Sequence, residues 1–207
     1  MSIRPNPFST RFIQPGALPY EFFGQTDANA LAQRLLSLRS KRGMIVGPHG
    51  SGKSTLVQSL FEPISLLAPS VRLHFLRFSS DKVTNQLALR ERKNWTNGSM
   101  VVLDGYEQLP FWTRIFVEWK VRGKAATLLV TMHKPRLGFE LLWQTTTDNR
   151  TAQWVIGQLL PENEREETIV RLLRSPDWTA SRMRNGENLR ESLFDMYDWW
   201  QKDSNRT

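Results

Sequence analysis

The sequence predicts an α/β protein in which a mostly parallel sheet lies between two layers of helices and a small helical lid follows. Three observations predict it. Short apolar runs alternate with amphipathic segments through the first 160 residues, the pattern of strands joined by crossover helices. One apolar run, GMIV (43–46), passes directly into the glycine-rich stretch GPHGSGKS (47–54) and then into an apolar-periodic segment. Another, SMVVLDG (99–105), reads as a buried strand that closes on an acid, Asp104.

Taken in order, residues 1–24 are rich in Pro, Gly and aromatics and read as an irregular N-terminal arm. Asp27 is placed to cap a helix over ANALAQRLLSLRS, where Leu31, Leu35 and Leu38 recur at helical spacing. After the strand GMIV and the glycine loop, STLVQSLFEPI reads as a helix that Pro63 terminates or kinks. VRLHFLRF (71–78) alternates like a strand, DKVTNQLALRERKNW reads as a helix, and NGSMVVLDGY as a turn feeding a buried strand. The helix LPFWTRIFVEWKVRG leads into the strand ATLLVTMH (126–133). A polar loop follows, and TAQWVIGQL (151–159) is expected to be the last strand. Everything after Pro161 reads as helical. The expected organisation is therefore an arm (1–24), a nucleotide-binding α/β domain (25–160) and a helical lid (161–207).

Composition narrows the function classes. A chain of 207 residues, 40% hydrophobic and 23% charged, is that of a soluble globular protein with one good core. No stretch reaches the roughly 18 uninterrupted apolar residues of a membrane helix, and the N-terminus lacks the apolar segment of a secretory signal. The absence of cysteine excludes disulfides and thiolate metal sites and suits the cytoplasm. Three histidines, His49, His74 and His133, are too few for a histidine metal cluster. The net charge of +8 lies wholly in the first 160 residues, because acids outnumber bases from Pro161 onward. Such a basic body suits polyphosphate ligands, an acidic partner or nucleic acid.

GPHGSGKS fits G-x-x-x-x-G-K-[ST] in full. Gly47, Gly50 and Gly52 let the backbone turn its N–H groups inward at phosphate oxygens, with Pro48, His49 and Ser51 completing the loop. Lys53 is placed to reach the β- and γ-phosphates, Ser54 to bind Mg²⁺, and Thr55 to continue the helix whose N-terminus adds positive charge. His49 is an unusual residue here and reads as a spacer. Asp104 puts a carboxylate at the C-terminal edge of a strand, where ligands bind in open parallel sheets and where it can hold a Mg²⁺-bound water.

On GPHGSGKST, MVVLDGYE and the NPFSTRF arm ahead of them, the chain resembles the AAA+ and related P-loop ATPases over most of its length. The resemblance implies a P-loop three-layer sandwich with a C-terminal helical lid, ATP and Mg²⁺ as cofactors, and ATP hydrolysis that switches or remodels a partner. It implies a sensor at the end of the next strand, Thr131 first and His133 second. It implies an arginine finger, Arg150 or alternatively Arg136, and a second sensor, Arg190, in NLRE at the start of a lid helix. One departure matters. Such ATPases usually place a glutamate directly after the aspartate, whereas here Gly105 follows and the nearest carboxylate is Glu107. Either a sharp turn at Gly105 presents Glu107 to the γ-phosphate, or Glu107 sits in the first turn of the next helix and hydrolysis is slow.

Other functions compete. A nucleotide-gated adaptor or nucleic-acid-binding protein with little turnover would share these residues, and so would a small-molecule kinase, although its loop would stand nearer the N-terminus. No N-K-x-D is present to read guanine and no LSGGQ-like signature marks an ABC ATPase. Arg90, Arg92, Lys93, Lys120, Arg122 and Lys124 are candidates for phosphate contacts to DNA or RNA. In FWTRIFVEWKVRGK, Phe111, Ile115 and Trp119, and likewise Trp112, Phe116 and Trp119, fall at helical spacing. That spacing predicts a packed helix face rather than a base-stacking surface. A protein partner or a second copy of the chain is expected to supply specificity.

Overall fold

The computed structural model describes residues 5–81, 85–86 and 89–204. The chain divides into two compact units, one of residues 22–47 and 56–144, the other of residues 1–21, 48–55 and 145–207.

The first unit holds the sheet. Among the described residues five strands pair: β1 (Arg42–Val46), β2 (Leu73–Arg77), β3 (Met100–Asp104), β4 (Thr127–Met132) and β5 (Glu140–Gln144), in the order β2-β3-β4-β1-β5. Every pairing is parallel, so all the strand C-termini lie along one edge. The central strands are buried on both faces, which explains their unbroken apolar runs such as MVVLD. Helix α1 (Ala28–Ser37) is capped by Asp27, whose carboxylate accepts from Ala30 N at 2.7 Å. It packs against α3 (Phe61–Leu67) and β5. Helix α4 (Phe111–Gly123) lies over the opposite face and adds Val117 and Val121 to a core with Met44, Val46, Val101, Leu103, Leu128 and Val130. Pro63 does not end the helix after the glycine loop. That helix, α2 (Lys53–Ser59), stops at Leu60, and Pro63 sits in the first turn of α3, where no N–H is needed.

The second unit is helical. Its helices are α5 (Asn149–Leu159), α6 (Arg165–Arg174), α7 (Pro176–Asn185) and α8 (Leu189–Ser204). Ala152, Ile156, Ile169, Leu172, Trp178, Leu193, Met196 and Trp200 form its core, which Phe8 of the N-terminal arm joins by an edge contact on Trp200. The arm is also tied to α8 by Asn6 Nδ2, which donates to the Tyr197 carbonyl at 2.8 Å.

Two further expectations are overturned. The segment 151–159 is helix α5, not the last strand. Ala152, Ile156 and Leu160 fall on one buried face, and Asp148 caps the helix by accepting from Thr151 N at 2.8 Å. These outweigh the β-branched pair Val155–Ile156 that suggests a strand. The fifth strand is instead ELLWQ (140–144), inside the stretch expected to be a loop. The helix expected from DKVTNQLALRERKNW is helical at 85–86 and 89–90 and tightens to a 3₁₀ turn at Glu91–Asn94, while 82–84 and 87–88 lie outside the described residues.

Candidate functional site

At the C-terminal edge of the sheet, Asp104 ends β3 with its carboxylate buried. The Thr131 hydroxyl, from β4, donates to Asp104 Oδ1 at 2.8 Å and accepts from Gly105 N at 2.8 Å. Arg77, at the end of β2, places Nε 3.1 Å from Asp104 Oδ2. Thr131 therefore fixes both the acid and the start of the turn that leaves it, and Arg77 balances a charge that burial would otherwise penalise.

Gly105 turns the chain with φ +81°, and a Cβ there would stand 2.6 Å from the Phe78 carbonyl oxygen. Both the left-handed backbone and the lack of space exclude a larger residue, glutamate included. The chain then makes a 3₁₀ turn, Tyr106–Gln108, within which Glu107 Oε1 lies 3.1 Å from His133 Nε2 at the end of β4. Of the two placements open to Glu107, the sharp turn at Gly105 exists, and Glu107 also sits in a short helical turn. Tyr106, between the two acids, is buried with its hydroxyl on Glu118. Burial first, and then that carboxylate, push the Tyr106 phenol well above its ordinary pKa. Arg136 Nη2 and Arg42 Nη1 reach Glu118 at 2.9 and 3.2 Å, so Arg136 is held in an ion pair within this unit.

The glycine loop begins at the same edge, where Gly47 N donates to the Met132 carbonyl at 3.1 Å. Its remainder belongs to the helical unit. The Pro48 carbonyl accepts from both Ser51 Oγ (2.8 Å) and Lys53 Nζ (2.7 Å), and Ser51 Oγ lies 2.5 Å from Thr145 Oγ1. Lys53 is buried, Ser54 and Thr55 are half-buried, and His49 is exposed. Gly50, at φ +67°, lies directly beneath the first turn of α8, where a Cβ would stand 2.8 Å from Arg190 N and closer still to Asn188 Oδ1. Gly52 faces the Tyr20 ring, and Gly16 N donates to Thr55 Oγ1 at 3.5 Å. The cradle at Gly50 and Gly52, the ammonium of Lys53 and the hydroxyl of Ser54 are a donor set that fits a triphosphate and its Mg²⁺.

The residues singled out in the sequence fall into groups. Gly50, Gly52, Lys53, Ser54 and Arg190 belong to the helical unit, where Gly50 lies against Arg190, while Gly47 belongs to the sheet unit. Asp104, Thr131, Glu107 and His133 come together at the sheet edge. Arg150 is an exposed residue of the first turn of α5 rather than a residue ahead of a strand. Sequence reasoning passed over Arg77, Tyr20, Thr145 and Asn188, each of which touches a predicted site residue. A basic residue at the end of a strand or a lone Tyr in an irregular arm carries no local signal of such a contact.

No protein-family model matches the chain, and no curated protein matches it in sequence. Among solved structures, the Orc1 protein of Aeropyrum pernix, in complex with DNA, matches over 97% of this chain at 11% identity with a TM-score of 0.55. The chain spans 64% of that protein's length. PCH-2 of C. elegans matches over 86% of this chain and 67% of its own at 14% identity, and Rif2 of Saccharomyces cerevisiae over 88% and 76% at 11%. Their TM-scores are 0.45 and 0.37. At such identities the Orc1 likeness is one of fold. The α/β chain with its five parallel strands has a P-loop NTPase fold.

Proposed function

We propose, from a P-loop NTPase fold as the premise, that this chain is a slow ATPase that uses bound nucleotide to switch or remodel a partner. The observation that carries it is the loop at Gly50, a left-handed glycine with no room for a Cβ, closed over by the α8 turn that bears Asn188 and Arg190. A loop of this chemistry in contact with a helix start couples phosphate binding to the helical unit.

In this reading the loop amides and Lys53 would bind the β- and γ-phosphates and Ser54 would ligate the Mg²⁺, while Asp104 would take the role toward a Mg²⁺-bound water that the sequence resemblance implies. The bound Mg·ATP supplies the transferable phosphoryl group and the charge that polarises it. Thr131 holds Asp104 in one orientation. Glu107 would accept a proton from the attacking water on leaving His133, Arg190 would sense the γ-phosphate at the start of α8, and Arg150 would be offered to a neighbouring subunit. Slow turnover follows from Glu107, which Gly105 displaces from its usual place beside the aspartate and which His133 engages at 3.1 Å. That same contact favours the second reading, a nucleotide-gated switch with little turnover.

Mg²⁺-dependent release of phosphate from ATP, measured for wild type and Lys53→Ala with and without DNA, tests the proposal. Loss of turnover in Lys53→Ala supports an ATPase. Tight ATP binding with no turnover supports the switch, and absence of ATP binding in wild type refutes both. Stimulation by DNA that weakens steeply with salt would extend the ligand of the Orc1 structure to this chain.

A further inference from the structure

Helix α4 carries an apolar stripe that the fold leaves uncovered. The spacing of its aromatics predicts a packed face, but the packed residues are Val117 and Val121, on the opposite side. Trp112 is 77% exposed, Trp119 70% and Phe111 56%, with Ile115 and Phe116 also exposed. At 100° per residue these five fall within one sector of the helix, and Arg122 continues it toward the C-terminus. Allowing about 200 Å² for each large side chain, the exposed fractions amount to roughly 600 Å² of apolar surface. That is the upper end of what a monomer leaves in water and approaches the roughly 800 Å² that one side of a stable interface buries.

We infer that this stripe docks an acidic amphipathic helix of a partner protein. Two observations choose the occupant. The rim is basic: Arg92 stacks on Phe116 with its guanidinium 5.6 Å from the ring centre, and Lys93, Lys120, Arg122 and Lys124 lie next to it along the chain and helix. The one acid on α4, Glu118, is engaged by Arg42 and Arg136. Two copies meeting stripe to stripe would oppose two basic rims, so self-pairing through α4 is disfavoured. The ring geometry disfavours nucleic acid. Phe111 and Trp112 meet edge to face at 71°, and Phe116 and Trp119 are tilted at 35°, so the rings pack into a ridge instead of forming parallel platforms for bases. A ridge with apolar residues at i, i+4 and i+8 is what a second amphipathic helix packs against, and Trp with Arg is the composition of interface hot spots.

The test is selection of helical peptides of about five turns from a library with randomised seam and flanking positions, on the full chain. Recovered peptides should carry an apolar seam flanked by Asp and Glu. They should bind the full chain with quenched or shifted Trp emission, and lose roughly tenfold or more in affinity to Trp112→Ala/Trp119→Ala and to Arg92→Glu/Lys120→Glu. Trp112→Ala/Trp119→Ala alters exposed residues and should keep the wild-type melting temperature. Arg92→Glu/Lys120→Glu alters half-buried residues, Arg92 Nη1 donating to the Leu89 carbonyl at 2.9 Å, and is compared at matched folded fraction. Failure to recover peptides, peptides without an acidic bias, or binding indifferent to both variants overturns the inference. So does a thymidine oligonucleotide whose binding is lost in Trp112→Ala/Trp119→Ala, or a dimer in sedimentation that this variant dissociates. None of these readouts depends on nucleotide turnover, so they stand or fall apart from the ATPase proposal.

Discussion

The glycine loop and the edge of the sheet solve a similar problem in different ways. At the loop, the motif is contiguous in sequence and the surrounding contacts come from distant chain: Asn188 and Arg190 over Gly50, Tyr20 against Gly52, Thr145 on Ser51. At the sheet edge the aspartate is kept but the position after it is surrendered to backbone geometry. Gly105 must be left-handed and must clear the Phe78 carbonyl, so a carboxylate can reappear only after the turn, at Glu107. In the proposed function, phosphate binding would rest on a compact motif that the sequence carries whole, and activation of water on the path of one turn.

The largest effects should separate those two regions. Lys53→Ala removes the one ammonium of the loop and should lower ATP turnover about 10²–10³-fold, the usual loss of a transition-state charge contact. Glu107→Gln should cost far less if His133 already occupies that carboxylate. Equal losses, measured as phosphate release at saturating ATP, would show that Glu107 is a working base and that the two regions are equally committed to hydrolysis.

Next come the two glycines. Gly105→Ala forces a Cβ against the Phe78 carbonyl at positive φ and should destabilise the sheet unit by about 2–3 kcal/mol, a fall of roughly 2–4 °C in Tm for each kcal/mol. Gly50→Ala meets the α8 turn instead, so its effect should fall on ATP affinity as well as on melting. Calorimetry with and without ATP distinguishes them, and a Gly50→Ala protein with unchanged ATP affinity would break the proposed link between loop and α8.

A smaller effect tests the sheet edge alone. Thr131→Val keeps the shape of the side chain but leaves a buried Asp104 oxygen and the Gly105 N–H without their partner, at a cost of about 1–3 kcal/mol. Turnover should fall with stability if Asp104 must be oriented. Urea melts compared with turnover at a fixed folded fraction separate the two contributions.

How much of this was legible in the sequence follows from where each signal is stored. Strands β1, β3 and β4 are apolar runs, β2 alternates apolar and polar residues, and the loop motif and Asp104 are local patterns, so all were readable. Strand β5 was not, because an edge strand with exposed Glu140, Leu141 and Gln144 has neither alternation nor a full apolar run. The exposed stripe of α4 was misread because periodicity reports that a helix has an apolar side, not which side the sheet covers. Val117 and Val121 suffice to hold the helix down, which leaves the larger residues outside. Arg77, His133 as partner of Glu107, and Asn188 are contacts made only by the fold.

The weakest expected effect concerns α5, the segment whose pattern suggested a strand. Its N-cap, Asp148, has a pKa below its ordinary value, chiefly because it accepts from the Thr151 backbone N–H, with Arg150 adding a favourable charge. A depressed folded-state value means that the carboxylate's contribution is fully present above the unfolded pKa near 3.8 and is lost as pH falls through the lower folded value. Asp148→Ala should therefore cost about 1 kcal/mol at neutral pH, and the gap between variant and wild type should close in acid. Asp148→Asn, which can still accept from Thr151 N without the charge, should keep most of that stability and show no such closing. If Asp148→Ala melts like wild type at neutral pH, the cap does not hold α5, and packing of Ala152 and Ile156 alone makes this segment a helix.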